Sequence, residues 1–189
     1  MWAERNRQGF TIVELLIVIV VIGILAAIVI VAFNGISDSA KRSSTMSEMK
    51  QWVKLFSLYK AKYGEYPAPS ATPSTGGGPG ANVLNRYCLG TGFPQVGGSG
   101  YCYLVASGNP YSVAESTGTG LLTALSEVGN PPRNTSKNVY GSVTGPWLQY
   151  INANEWYIGS TFGPGGTCPD GTSLEYTGGG RTDCRIRLP

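Results

Sequence analysis

The chain has 189 residues, of which only 13% are charged, and its formal net charge is +3. So small a charge predicts no broad basic face for nucleic acid. The sequence contains no histidine, which excludes Ser-His and Cys-His nucleophile pairs, imidazole general bases and histidine metal ligands. We therefore expect a protein that is not an enzyme, and no motif in the sequence requires a cofactor.

The first third of the chain contains a long apolar run. From Phe10 to Phe33 the only polar residues are Thr11 and Glu14. A helix of that length is about 36 Å long, which is enough to cross the hydrocarbon core of a membrane. We expect a membrane-spanning helix over residues 10–34 rather than a buried core helix. A secretory signal peptide fits less well, because its apolar region is about 7–15 residues long.

Glu14 is the one carboxylate inside this run. A carboxylate at bilayer depth is costly, so such a residue is a candidate functional group by default. The alternative is that Glu14 lies at the cytoplasmic interface and extends toward water at little cost. That alternative does not explain the residues that surround it.

Those residues read GFTIVELLIVI over positions 9–19 and IGILAAI over positions 22–28. This segment resembles the N-terminus of type IV pilins and type II secretion pseudopilins. The resemblance implies that Met1–Gly9 is a leader removed by a prepilin peptidase, that Phe10 becomes the methylated N-terminus, and that Glu14 serves assembly. It also implies a pilin-like α+β fold. The partners it implies are further copies of the chain, joined through their N-terminal helices, and the machinery that assembles a cell-surface pilus or a secretion pseudopilus.

The chemistry of the segment agrees with these roles. Removal of Gly9 gives Phe10 a free amine, which is positively charged near neutral pH. In a bundle of apolar helices, that amine and the Glu14 carboxylate of a neighbouring subunit satisfy each other and fix the register. Many members of the family have proline where this chain has Val31, which weakens the expectation of local helix melting. Asn34-Gly35 is an alternative point at which the helix is expected to loosen.

A second helical pattern covers residues 35–66, the expected extracellular half of the long helix. Its apolar residues recur every three or four positions and predict a face that packs on a sheet. Gly64 and Pro67 are expected to end the helix. The stripe consists of Ile36, Ala40, Ser43, Met46, Met49, Val53, Phe56 and Tyr63.

Residues 67–189 form the predicted head, which contains all twelve prolines and begins with a low-complexity linker at residues 68–80. A short helix is predicted at Leu121–Val128, and Asn152-Ala153-Asn154 is a predicted hairpin loop. We expect a small antiparallel sheet that packs on the distal half of the long helix. The predicted strands are Tyr101–Ser107, Val139–Val143, Trp147–Ile151, Glu155–Thr161 and Cys184–Leu188.

The four cysteines, Cys88, Cys102, Cys168 and Cys184, all lie in the head. Without histidine or a Cys-x-x-Cys pair, structural zinc is disfavoured and two disulfides are predicted. Three pairings are possible. We favour Cys88–Cys102 and Cys168–Cys184, because each closes a short glycine-rich loop. Disulfides form outside the cytoplasm, so they predict an extracytoplasmic head on a single-pass membrane protein.

Two residue groups near the C-terminus are weaker candidates. The acids lie where some pseudopilins bind calcium, but they lack EF-hand spacing and we predict no metal site. The basic residues are expected to form a basic edge strand rather than a nucleic-acid contact. The acids are Asp170, Glu175 and Asp183, and the basic group is Arg181, Arg185 and Arg187 with the neighbouring Tyr176.

Two classes of function follow from these patterns. The first is a structural subunit of a pilus-like filament, with a pseudopilin of a secretion or DNA-uptake system as a variant. The second is a membrane-anchored extracellular binding module. A simple anchor has no use for Gly9-Phe10 or for Glu14, which favours the filament subunit. An anchored hydrolase would need a base–nucleophile pair that the sequence lacks.

Overall fold

The structure is a computed structural model that describes residues 9–68, 86–93, 95–96, 99–103, 113–114, 118–132, 145–152, 154–163, 165–178 and 180–189. The chain divides into two compact units, Met1–Ala40 and Lys41–Pro189. The described residues contain two helices, α1 (Ile12–Tyr63) and α2 (Thr119–Ser126). They also contain eight strands: β1 (Arg86–Cys88), β2 (Gln95–Val96), β3 (Ser99–Tyr103), β4 (Val113–Ala114), β5 (Trp147–Asn152), β6 (Glu155–Thr161), β7 (Ser173–Gly178) and β8 (Arg181–Arg187).

Helix α1 is 52 residues long and ends where the sequence predicts. Gly64 has a φ of +84°, a left-handed conformation that glycine adopts without steric cost and that commonly follows a helix. Its N–H donates to the carbonyl oxygen of Lys60 at 2.8 Å. The backbone of the single chain is helical through Asn34 and Gly35, and loosening there on assembly stays a prediction.

Five strands of the second unit form one antiparallel sheet in the order β1-β5-β6-β8-β7. Strands β5 and β6 form the predicted hairpin, in which Gln149 pairs with Tyr157. A smaller sheet has the order β2-β3-β4. The prediction of an α+β fold with a long helix and a small antiparallel sheet is confirmed.

The strand predictions are most accurate in the hairpin. Strand β6 has the predicted bounds, and β5 extends one residue beyond its predicted end. Strand β8 begins three residues before the predicted start and ends one residue earlier than predicted, while β3 overlaps Tyr101–Ser107 at residues 101–103. The predicted strand Val139–Val143 lies outside the described residues. Strands β1, β2, β4 and β7 were not predicted. The first three have only two or three residues, and in β7 the apolar residues Leu174 and Tyr176 are exposed.

The main core lies between the distal part of α1 and one face of the large sheet. Met49 and Phe56 from the predicted stripe are fully buried there, whereas Ile36 is exposed. The buried face is centred on Trp52 and Leu55, which the stripe omitted, because these larger side chains fill the space above the sheet. The sheet contributes Tyr87, Leu148, Trp156 and Ile158 to the same cluster.

The two disulfides join different elements of the head. Cys88 on β1 is bonded to Cys102 on β3, and Cys168 is bonded to Cys184 on β8. These are the two pairs that the sequence analysis favours. The second closes a loop that contains strand β7. In the chain-entropy description, a loop of this length adds roughly 3 kcal/mol to the free energy of unfolding.

Charged and aromatic side chains cover the opposite face of the large sheet. In a flat sheet the edge strands β1 and β7 would lie about 19 Å apart, yet Arg86 on β1 and Glu175 on β7 form an ion pair. The sheet must therefore curl strongly around this face. The Arg86 guanidinium also stacks 4.3 Å from the ring centre of Tyr103 and 5.3 Å from that of Trp147.

Gly159 makes this curled packing possible. A Cβ atom at this position would lie 2.4 Å from Nε1 of Trp147 and 2.5 Å from its Cε2. We expect Gly159→Ala to lower the free energy of unfolding by about 1–3 kcal/mol, because the buried indole must move. Denaturant unfolding followed by tryptophan fluorescence measures the loss. Gly35→Ala is the control, because a Cβ there meets no atom within 4 Å; equal stability of the two variants would contradict the packing described.

Candidate assembly site at the helix N-terminus

The first turn of α1 is closed by two side chains that bond to each other. The N–H of Glu14 donates to the Thr11 hydroxyl at 3.2 Å. In return, the Glu14 carboxylate accepts from the Thr11 N–H at 2.9 Å and from the Thr11 hydroxyl at 2.7 Å. This reciprocal pattern is a capping box, in which a threonine and a glutamate three residues later satisfy the free donors of a helix start.

Thr11 is a functional candidate that the sequence analysis passed over. The Thr-x-x-Glu spacing is the known signature of a capping box, so the sequence of residues 11–14 was sufficient to predict the cap. The assembly candidates Gly9 and Phe10 precede the helix and are exposed. The Glu14 carboxylate, which is predicted to serve assembly, is bonded to the N–H of Thr11, the residue that follows Phe10.

The apolar side chains that follow Glu14 are exposed in the described part of the chain. Phe10 is 81% exposed, and the large apolar side chains from Leu15 to Ile30 are about half exposed or more. By length and composition, α1 is the one helix in the described part of the chain that is able to cross a membrane. So large an apolar surface requires lipid or neighbouring apolar helices around it.

Thr11→Val tests the cap, because it keeps the shape of the side chain and removes the hydroxyl. A cap of this kind contributes about 1 kcal/mol to the stability of a helix. We therefore expect the Glu14 amide of the valine variant to exchange with solvent about fivefold faster than that of the natural chain. Hydrogen–deuterium exchange of the chain in detergent micelles measures the rate. Thr11→Ser retains the hydroxyl and should exchange like the natural chain; equal rates in the valine and serine variants would exclude the cap.

Two of the three acidic candidates near the C-terminus have partners within the head. Glu175 is paired with Arg86 on β1. Asp183 is buried, accepts from the Thr161 hydroxyl at 2.8 Å and lies 3.3 Å from Arg181. Burial raises the pKa of Asp183, and the Arg181 charge opposes that rise. Within the described residues no group of three acids or cysteines is placed to hold a metal ion.

The expectation of a basic edge strand is wrong. Strand β8 lies between β6 and β7 in the sheet, so its arginines do not protect an edge. Arg181 stacks 4.7 Å from the ring centre of Tyr176, and Arg185 donates to Gln149 at 3.0 Å while stacking 4.2 Å from the ring centre of Tyr157. The side chains of Arg181 and Arg185 thus pack against other residues of the sheet. Of the three arginines, only Arg187 is exposed.

Comparison with known proteins addresses the N-terminal segment directly. Residues 5–30 match the family described as the prokaryotic N-terminal methylation motif. This chain is similar to pilins and pseudopilins in its N-terminal segment. Its relatives include the type II secretion system core protein G of Klebsiella michiganensis, which is 33% identical over 64 residues. They also include the type IV major fimbrial protein FimA of Dichelobacter nodosus, 36% identical over 70 residues.

The likeness covers part of each protein. The match to the Klebsiella michiganensis protein spans 34% of this chain and 45% of that relative, and the match to FimA spans 37% and 43%. The core protein G of Klebsiella pneumoniae is matched over a longer stretch, 43% of this chain and 66% of that protein, at 28% identity. The chain thus spans about half the length of the curated relatives it matches. No solved structure matches the chain.

Proposed function

We propose that this chain is a pilin, a non-enzymatic structural subunit of a type IV pilus-like filament. The observation that carries the proposal is a helix whose described apolar side chains are exposed and whose first turn contains the Glu14 carboxylate, bonded to the N–H of the residue after Phe10. In this proposal Met1–Gly9 is a leader that a prepilin peptidase removes. Residues 10–34 then serve first as a membrane anchor and afterwards as the packed centre of the filament. Residues 35–66 and the head 67–189 lie outside the cytoplasm.

The proposed assembly step is an exchange of partners at Glu14. Before assembly the carboxylate accepts from Thr11 of its own subunit. After removal of Gly9, the Phe10 amine is a charged donor, and methylation does not remove that charge. When the helices pack, the amine of one subunit meets the carboxylate of its neighbour, and each neutralises a charge that would otherwise be buried alone. The pair also fixes one register in an apolar seam that lacks other polar contacts.

Two observations support the proposed location. Two disulfides in the head are typical of an oxidising compartment, and the apolar helix precedes the head along the chain. The head is therefore proposed to face away from the cytoplasm before assembly and to form the filament surface afterwards. A secretion pseudopilus is the second candidate, because relatives named as type II secretion core proteins are matched as well as a fimbrial protein.

Electron microscopy of native cells tests this function. Filaments sheared from the surface are imaged, and their subunits are identified by mass. We expect filaments in which this chain is a subunit, and none after deletion of its gene if it is the major subunit. Chain that stays in the membrane fraction, with surface filaments that lack it, would favour the secretion pseudopilus or the simple membrane-anchored binding module.

A further inference from the structure

A pocket of about 780 Å³ opens in the head beside the end of α1. Its volume lies within the roughly 300–1,000 Å³ of small-molecule sites. The C-terminal turn of the helix, the β5–β6 hairpin and the last residues of the chain form its walls. The charged and aromatic residues that line it are Lys60, Glu65, Tyr66, Tyr150, Trp156 and Arg187.

One wall of the pocket is a fixed aromatic surface. Trp156 is almost fully buried, and its ring centre lies 5.2 Å from that of Tyr66 and 4.8 Å from that of Tyr150. The hydroxyl of Tyr66 donates to the Pro189 carbonyl oxygen, which anchors that ring. Because Trp156 is locked in the core, both tyrosine rings are held in place before any ligand arrives.

The polar groups around this wall are a mixed set with unused bonding capacity. Among the described residues, the Glu65 carboxylate and the Tyr150 hydroxyl have no hydrogen-bond partner. Arg187 uses one of its five N–H groups, in a 3.3 Å bond to the Asn154 carbonyl oxygen. The Lys60 ammonium is already bonded to the Pro189 oxygen at 2.7 Å. Arg187 pairs with Tyr157, so its side chain lies on the sheet face opposite to Trp156. A ligand on the aromatic wall would therefore meet the acceptor of Glu65 and the hydroxyl of Tyr150.

We propose that this pocket binds a neutral saccharide. A sugar ring has a flat C–H face that packs on aromatic rings, and each of its hydroxyl groups both donates and accepts. Neighbouring hydroxyls of a sugar therefore bond to the Glu65 carboxylate and the Tyr150 hydroxyl together. The Lys60 ammonium is bonded to the Pro189 oxygen and lies 4.8 Å from the ring centre of Tyr66, and the Arg187 side chain lies on the other face of the sheet. The Glu65 carboxylate is therefore the charge that a ligand on the wall meets, and it disfavours a phosphate or a uronic acid.

The test uses the full chain in lauryldimethylamine oxide, a detergent that contains no sugar. The probes are cellobiose, lactose and N,N′-diacetylchitobiose, with adenosine monophosphate and digalacturonate as charged competitors. Saturation-transfer NMR and the intrinsic tryptophan fluorescence of the chain report binding. We expect at least one neutral disaccharide to bind with a dissociation constant of about 1 mM or lower. Tyr150→Phe and Glu65→Gln should each weaken it by about five- to tenfold.

Matched variants outside the pocket separate recognition from a general change of the head. Tyr176→Phe and Glu127→Gln make the same chemical changes at exposed positions and should leave binding unchanged. The proposal is overturned if none of the three neutral probes binds at about ten times that concentration. It is also overturned if the pocket variants bind like the matched variants, or if either charged compound binds more tightly than the best neutral disaccharide.

Discussion

Glu14→Gln is expected to reduce the yield of assembled filaments by at least about tenfold, because it removes the charge that we propose to face the Phe10 amine of a neighbour. The glutamine oxygen still accepts from Thr11, so the start of α1 within one subunit should persist. Membrane insertion should not suffer, since an uncharged side chain enters the apolar core more readily. The defect should therefore appear at assembly and not before it.

The measurement compares the processed chain in the membrane fraction with the chain in sheared filaments. Glu127→Gln is the matched control, because it makes the same change at an exposed carboxylate of the head. It should assemble like the natural chain. A normal filament yield from processed Glu14→Gln chain would show that Glu14 is not an assembly contact, and Glu14 would then be an interfacial residue of an ordinary anchor.

Trp52→Ala is expected to lower the free energy of unfolding of the head by about 3–5 kcal/mol. Trp52 is fully buried at the centre of the contact between α1 and the large sheet. Removing the indole leaves a cavity that the sheet, curled and stapled by Cys168–Cys184, is poorly able to close. Urea unfolding of the full chain in detergent, followed by circular dichroism, measures the change.

Trp52→Phe separates packing from hydrogen bonding at the same position. The Trp52 Nε1 atom has no hydrogen-bond partner, so its loss removes an unsatisfied buried donor, which offsets part of the smaller ring volume. We expect the phenylalanine variant to lose less than half of what the alanine variant loses. Equal losses of unfolding free energy in the two variants would mean that the indole N–H makes a stabilising hydrogen bond.

The parts of the fold that depend on local signals could be read from the sequence. Gly64 ends α1, the hairpin of β5 and β6 lies where regular strand residues flank a turn, and the apolar run from Phe10 onward is helical. The glutamate within that run identifies the candidate assembly site. Each of these features is decided by residues within a few positions of one another.

Features that depend on distant contacts could not be read in the same way. Strand β7 has little apolar pattern, and it joins the sheet through pairing with β8 and through the disulfide loop. The ion pair between Arg86 and Glu175 joins residues far apart in sequence, and it exists because the sheet curls over Gly159. The aromatic pocket likewise brings together the end of α1, a hairpin and the last residues of the chain.

The most direct test of the assembly proposal is the intact mass of the chain recovered from its native cells. The proposal predicts a mature chain that begins at Phe10, lacks Met1–Gly9 and carries one added methyl group. Tandem mass spectrometry should place that methyl group on the Phe10 amine. A chain that still begins at Met1, or one cut beyond Ala27 so that Glu14 is lost, would contradict the proposal that this carboxylate pairs with a processed N-terminus.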